Sequence, residues 1–270
     1  MMRSTELLAF YRGLEHRDLV ISDLETTGFK PPMARATEIS VICASLRDGV
    51  RSQHTTLINS YTEVPENITR FTGITQRMVD SAPDAESVWP EYFPLLNQGV
   101  LTCHNFDFDY PFMQAELASC GIEFKKDPID RLCTVIFSRL MLPDLPSRSL
   151  PNLVKHFRFD VGPSHRAEAD TMACWLLLER LLTELLDMPD ELLLKRFGKQ
   201  WLTDCDAAVM FGCRMREIHA IFEAAAIKVR KSSRRSTLMY MRSDVERILL
   251  EREARDGEQL VLDASLNYDL

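Results

Sequence analysis

Residues 20–29 read VISDLETTGF. The aliphatic start reads as a β-strand, and Asp23 and Glu25, two positions apart, then project to the same face. A carboxylate buried in a sheet costs several kcal/mol unless it is paired or bound to a cation. If these carboxylates are buried, the fold must bring positive charge to that strand. Two hard oxygen ligands at this spacing suit Mg²⁺ or Mn²⁺ better than zinc. The plainer reading of the same residues is a solvated strand end that runs into a Thr-Gly turn.

The surrounding pattern places this strand, residues 18–25, first in a meander. TEISVICASL (37–46) and QHTTLINS (53–60) are rich in β-branched residues, and Asp48-Gly49 between them is a hairpin signal. An interrupted helix over 84–98 precedes the short apolar strand GVLTCH (99–104). YPFMQAELASCG (110–121) reads as a helix stopped by Gly121, and PIDRLC (128–133) as another short strand. Helices follow over 149–157 and 167–187, the second long and apolar on one face. Strands that meander first and alternate with helices later predict an α/β fold, a mixed sheet flanked by helices. DMPDE, at 187–191, marks the expected boundary between a domain at 1–189 and a smaller one at 190–270.

Composition excludes several classes. Apolar residues make up 46% of the chain and charged residues 27%, so a packed core is expected. There is no apolar run of membrane-spanning length, and the N-terminal residues lack the apolar core and cleavage site of a signal peptide. A soluble, cytoplasmic protein is expected, with no membrane association. The seven cysteines form no CxxC pair and sit among apolar residues, as reduced core thiols do. The net charge of −8 is carried by residues 1–189, with 18 Lys and Arg against 26 Asp and Glu; residues 190–270 hold 14 of each. Within that second part KVRKSSRR (228–235) has five bases and no acid, and local charge governs contact with nucleic acid more than the total does.

Two further segments carry acids at structural transitions. CHNFDFDYPFM puts Asp109 where a strand passes into a helix, and SHRAEAD puts Asp170 in the first turns of the long helix with His165 just ahead of it. Asp23-x-Glu25 in DLETTG, His104-Asn105-x-x-Phe108-Asp109, and His165 five residues before Asp170 resemble the three motifs of the DEDDh 3′→5′ exonucleases. That family includes the proofreading epsilon subunit of bacterial DNA polymerase III, RNase T and oligoribonuclease. The resemblance spans residues 17–187 and extends to RFTGIT, similar to the segment that lines the 3′-nucleotide pocket, and to SLPNLVKHF.

The resemblance implies an RNase H-like, five-stranded mixed sheet. It implies that Asp23, Glu25, Asp109 and Asp170 share two divalent ions, Mg²⁺ or Mn²⁺, that activate water and stabilise the leaving 3′-oxygen. His165 would take the proton of that water, a task suited to an imidazole at neutral pH. Thr26 and Thr27, through their backbone and the Thr27 hydroxyl, are expected to contact the terminal nucleotide. Phe71 or Ile74 is expected to pack on its base or sugar, and Asn105 to line the site. Threonine stands at position 72, where family members often have histidine, which leaves the shape of the pocket open. Asp130 and Glu38 read as structural residues. The expected partner is a single-stranded 3′ end, DNA in preference to RNA, in repair or within a polymerase or repair complex. The rival readings are RNA trimming by the same residues and a binding or assembly protein whose nuclease site is vestigial.

The second domain lies outside that resemblance. TDCDAAVMFGC reads as a helix capped by Thr203 and stopped by Gly212, and RMREIHAIFEAA as a second helix. IKVR and TLMYM read as strands around a basic turn. SDVERILLERE reads as a helix with a Ser243–Glu246 capping box and the stripe Val245, Ile248, Leu249. This small, mainly helical layout with a β-hairpin wing is similar to the winged helix-turn-helix of MerR/excisionase-type domains. The similarity implies a nucleic-acid patch of Arg214 and Arg216 at a groove, with Lys228, Arg230, Lys231, Arg234 and Arg235 on phosphates. A solvated basic hairpin or a protein-docking module fits the same residues.

Overall fold

The structure, a computed structural model, describes residues 1–232 and 237–266, with 257–266 as backbone only. Arg234 and Arg235 lie outside the described residues. The chain divides into two compact units, Phe10–Asp187 and Met1–Ala9 together with Met188–Leu270. The first nine residues thus group with the C-terminal segment and not with the rest of 1–189.

In chain order the elements of the first part are α1 (Ser4–Gly13), β1 (Leu19–Thr26), β2 (Ala36–Ser45), β3 (Gly49–Leu57), α2 (Glu66–Thr72), α3 (Gln76–Asp80), α4 (Ala85–Leu96), β4 (Val100–Cys103), α5 (Phe106–Ser119), β5 (Arg131–Cys133), α6 (Thr134–Met141), α7 (Leu150–Phe157) and α8 (Ala167–Asp187). The strands form one sheet in the order β3-β2-β1-β4-β5. The first three strands pair antiparallel, and β4 and β5 run parallel to β1. This is the mixed, helix-flanked sheet that the sequence pattern predicts.

Strand alternation sorts the side chains of β1. Val20 and Leu24 point into a core with Ile39, Val41, Trp89 of α4 and Phe112 of α5. Leu19, Ile21, Asp23 and Glu25 take the opposite face, and α8 packs on β1 and β2. That face is apolar at the start of the strand and acidic at its end. The α8 residues Leu177, Leu178, Leu181 and Leu182 are fully buried, so the helix is fixed by packing well beyond the turn that carries Asp170.

The second unit continues with α9 (Asp190–Gly198), β6 (Trp201–Thr203), α10 (Asp204–Phe211), α11 (Met215–Ala224), β7 (Val229–Lys231), β8 (Leu238–Met241) and α12 (Arg242–Leu266). Its antiparallel sheet has the order β6-β8-β7. Leu202, Ile218, Phe222, Tyr240 and Val245 are buried together. Thr203 caps α10 with a reciprocal bond to Asp206, and Gly212 ends it at φ 62°. Two features differ from expectation. The strand β6 is present, because Trp201–Thr203 finds Met239–Met241 as a partner. The Ser243–Glu246 box is absent: α12 begins at Arg242, and Glu246 instead accepts the Ser4 N–H (2.7 Å) and hydroxyl (2.9 Å). The buried Arg242 donates to Glu246 (3.0 Å), to Gln200 (2.8 Å) and to the Met2 carbonyl (3.0 Å), which accounts for the grouping of the first nine residues. Among the described residues no helix is long and apolar enough to cross a membrane.

One close approach sets the entry to the central strands. Val100 N–H donates to the Asp18 carbonyl (2.9 Å), and a Cβ at Gly99 would lie 2.2 Å from that same oxygen. The neighbour is backbone and cannot yield cheaply. Gly99→Ala is therefore expected to destabilise the protein by about 2–3 kcal/mol, the cost of overpacking. A denaturant midpoint equal to that of the parent would refute this account.

Candidate metal centre and active site

The fold brings together residues from three remote segments. Carboxylate oxygens of Asp23 and Glu25 on β1 and of Asp170 on α8 lie within 4.8 Å of one another. Asp109, in the first turn of α5, is buried, and its charge bears on Asp23. Glu25 also lies directly opposite Glu38 in the β1–β2 ladder. Crowding at this density leaves its mark on the acids. Desolvation, followed by the charges of Asp109, Asp170 and Glu25, holds the Asp23 carboxyl well above the usual range. Glu25 is pushed up to about 8 by desolvation and by Asp170 and Glu38, with Arg166 opposing. Desolvation also raises Asp109, against hydrogen bonds from the backbone at Leu24 and at Asp109 itself. Asp170 is raised by desolvation, with the His165 backbone bond opposing. An all-oxygen donor set that is short of positive charge fits a hard divalent cation.

The two motif histidines differ in kind. His104 is largely buried between the Thr134 hydroxyl and the Arg148 carbonyl, each 2.9 Å away. Its pKa is pushed down to about 4, chiefly by desolvation, so the ring is neutral at pH 7. A carbonyl can only accept, so Nε2 carries the proton and Nδ1 accepts from Thr134. Both nitrogens are used inside the protein, and His104 anchors the loop at Asn105, which has φ 92°. His165 also has positive φ, at 66°, and its backbone N–H donates to Asp170 Oδ2 (3.0 Å). Its ring stacks on the exposed Phe71, with centroids 3.8 Å apart and planes tilted by 32°.

Other expected contacts fall differently. Ile74 is fully buried with Val64 and Val79, so its side chain has no surface to offer a nucleotide. The Thr27 hydroxyl accepts the Arg35 N–H (3.0 Å), and Thr27 N–H donates to the Arg35 carbonyl (2.9 Å). The Thr26 hydroxyl donates to the Gly28 carbonyl (2.6 Å). Both threonines thus build the turn after β1; the Thr26 hydroxyl spends its proton there, whereas the Thr27 hydroxyl only accepts and keeps its own proton to donate. Asn105 is exposed beside the site. Asp130 pairs with Arg17, as a structural acid would.

Two groups escaped the sequence reading. Glu116 is buried on α5 and holds Arg35 through two guanidinium nitrogens, Nε and Nη2, and Ala36 through its N–H. A groove of about 350 Å³ beside Thr27 is lined by Phe29, Lys30, Met33, Thr62, Glu63 and Pro65. Phe29 and Met33 are 87% and 91% exposed, an unusual state for large apolar side chains. The signal lay in GFKPPM, where such residues follow the Thr-Gly turn with no strand or helix pattern to bury them.

The raised carboxyls have a consequence for stability. Glu25 at about 8, with Asp23 and Asp109 also raised, keeps protons in the folded protein that the unfolded chain has already lost. The folded state then binds more protons between the ordinary carboxylate range and about pH 8, so stability falls as pH rises through that window. In EDTA the thermal midpoint is expected to drop by several degrees between about pH 5 and about pH 8. Saturating Mn²⁺ should remove most of that drop, because the ion binds the folded state. An equal drop in Asp23→Asn would place its origin elsewhere.

Comparison with known proteins identifies a family. The family model RNase_T, described as "Exonuclease", matches residues 20–178. A PolC-type DNA polymerase III of Clostridium perfringens is 30% identical over 193 residues, which are 70% of this chain and 13% of that protein. The DNA polymerase III subunit epsilon of Treponema pallidum is 29% identical over 62% of this chain and 78% of that one. The chain thus spans only a small part of the PolC relative. Among solved structures, E. coli exonuclease I in complex with a dT13 oligonucleotide superposes with a TM-score of 0.56 at 16% identity, covering 63% of this chain and 42% of that one. The sheet and its flanking helices are the RNase H-like exonuclease fold. The chain belongs to the RNase_T exonuclease family, whose model matches its residues 20–178.

Proposed function

We propose that this protein is a divalent-metal-dependent 3′→5′ exonuclease that removes nucleoside 5′-monophosphates from single-stranded DNA ends, in repair or proofreading. The observation that carries the reading is the convergence of Asp23, Glu25 and Asp170 within 4.8 Å, with Asp109 buried nearby and His165 in the loop that leads to Asp170. Two Mg²⁺ or Mn²⁺ ions held by these four carboxylates would supply an acidified water and charge neutralisation at the phosphate.

The chain's own residues do the rest. His165 accepts the proton of the attacking water as the new P–O bond forms and the P–O3′ bond breaks, and the 3′-oxygen leaves with a proton from solvent. Phe71 offers an exposed aromatic ring beside that histidine, and Asn105 an exposed amide four residues before Asp109. Phe29, Lys30 and Met33 form an apolar and cationic wall suited to bases and phosphates of a single strand. The likeness to an epsilon subunit and to a nuclease solved with an oligonucleotide supports DNA as substrate and a polymerase or repair complex as partner.

The second unit reads best as a winged helix-turn-helix that holds the substrate. α10, a short turn and α11 precede the β7–β8 hairpin, and Arg214, Arg216, Lys228, Arg230 and Lys231 are all exposed. Replacing Lys228, Arg230 and Lys231 with alanine should weaken binding to DNA and lower the slope of log affinity against log salt by about 2–3. An unchanged slope would assign the hairpin another role.

The defining assay is degradation of 5′-labelled DNA and a matched RNA in Mg²⁺ or Mn²⁺. DNA is expected to shorten from its 3′ end, and Asp109→Ala to abolish the reaction. His165→Ala should lower kcat by about 10²–10⁴-fold while Mn²⁺ affinity stays within about threefold. Shortening of RNA alone would overturn the substrate assignment, and binding without cleavage would favour an assembly protein.

A further inference from the structure

We propose that Glu38 is a positioning residue for the reaction, acting on His165 through Arg166 and Ala167; the proposal rests on the reading of His165 as the base. Glu38 is 1% exposed and lies across the ladder from Glu25, so its carboxylate points to the same face of the sheet. There it accepts from Arg166 Nε (3.1 Å), from Arg166 Nη2 (2.5 Å) and from the Ala167 N–H (2.9 Å). All three donors belong to the two residues that follow His165.

A planar fork bound by both arms fixes orientation as well as distance. The third bond, to the main chain at Ala167, ties the backbone itself to β2. His165 needs such a restraint, because its φ of 66° is a costly conformation for a residue with a Cβ. The Asp170 carboxylate holds it from one side through the His165 N–H, and Glu38 holds the chain from the other. Asp170 depends less on this clamp, since the buried leucines of α8 pin its helix independently. Loss of the clamp should therefore displace the imidazole before it displaces the carboxylate.

The molecule contains its own control. Glu116, 2% exposed, makes the same three bonds to Arg35 and Ala36, at 2.9, 2.7 and 2.9 Å. That copy braces the Thr27 turn and leads to no histidine. Glu38→Gln and Glu116→Gln remove the same chemistry from two different loops.

The test is a double-mutant cycle in the full chain with His165→Ala. Glu38→Gln is expected to lower kcat by at least about tenfold, with KM for a DNA oligonucleotide within about twofold. In the His165→Ala background it should cost less than about twofold. Glu116→Gln should act equally in both backgrounds. In metal-free protein, the imidazole NMR signals of His165 should move in Glu38→Gln and stay in place in Glu116→Gln. Equal losses from Glu38→Gln in both backgrounds, or unmoved His165 signals, would overturn the proposal. Should Glu38→Gln not fold, Arg166→Lys, which keeps the charge and loses the fork, carries the same cycle. A parent protein that cleaves neither DNA nor RNA would instead defeat the exonuclease reading, whereas an active parent matched by Glu38→Gln defeats this proposal alone.

Discussion

Glu25 faces Glu38 across an antiparallel ladder, with Asp23, Asp109 and Asp170 close by. Like charges opposite one another in a sheet are unfavourable, and burial makes them more so. The arrangement is tolerable only if the acids keep protons or cations arrive from elsewhere. Arg166 is one, reaching Glu38 from 128 residues away in the sequence, and it also opposes the rise of Glu25. It does not satisfy Asp23 or Asp109, whose carboxyls remain raised. The remaining deficit is the electrostatic space that a divalent ion would fill. The sheet thus separates its acids into one neutralised from within and a group with no such partner.

Buried ion pairs of this kind are weak evidence of stability, because desolvation offsets most of the Coulomb gain. What the Glu38 and Glu116 pairs supply is registry. Each joins a regular element to an irregular loop through a guanidinium fork and one backbone N–H. One loop carries the turn after β1 and the other carries His165, so both approaches to the carboxylates are tied to the sheet or to α5. A site built on loops alone would lack that precision.

The parts of this structure legible in the sequence are those set by local periodicity. The period-two alternation of β1 places Asp23 and Glu25 together, and Thr203 and Gly212 mark the ends of α10 because caps use nearby atoms. What could not be read depends on remote partners. Glu116 looks like an ordinary helix acid until Arg35, 81 residues away, folds onto it. Ser243 and Glu246 have the spacing of a capping box, yet a better donor pair at Ser4 claims the carboxylate. Ile74 sits in a nucleotide-pocket motif but is consumed by a small apolar cluster that only the folded chain assembles. Short strands such as β6 carry too few residues to show a period.

His104 and His165 show how environment gives one residue type two different settings. Both lie in segments that lead to a site carboxylate, and both border backbone with positive φ. His104 is dry, neutral and bonded at each nitrogen, so it can neither donate nor accept a proton without breaking the loop that positions Asp109. His165 is held by its main chain and by one face of its ring. The base of the proposed reaction must be fixed in place and still able to exchange a proton. Holding the backbone through Glu38 and Asp170, and the ring through Phe71, meets both demands without spending either nitrogen.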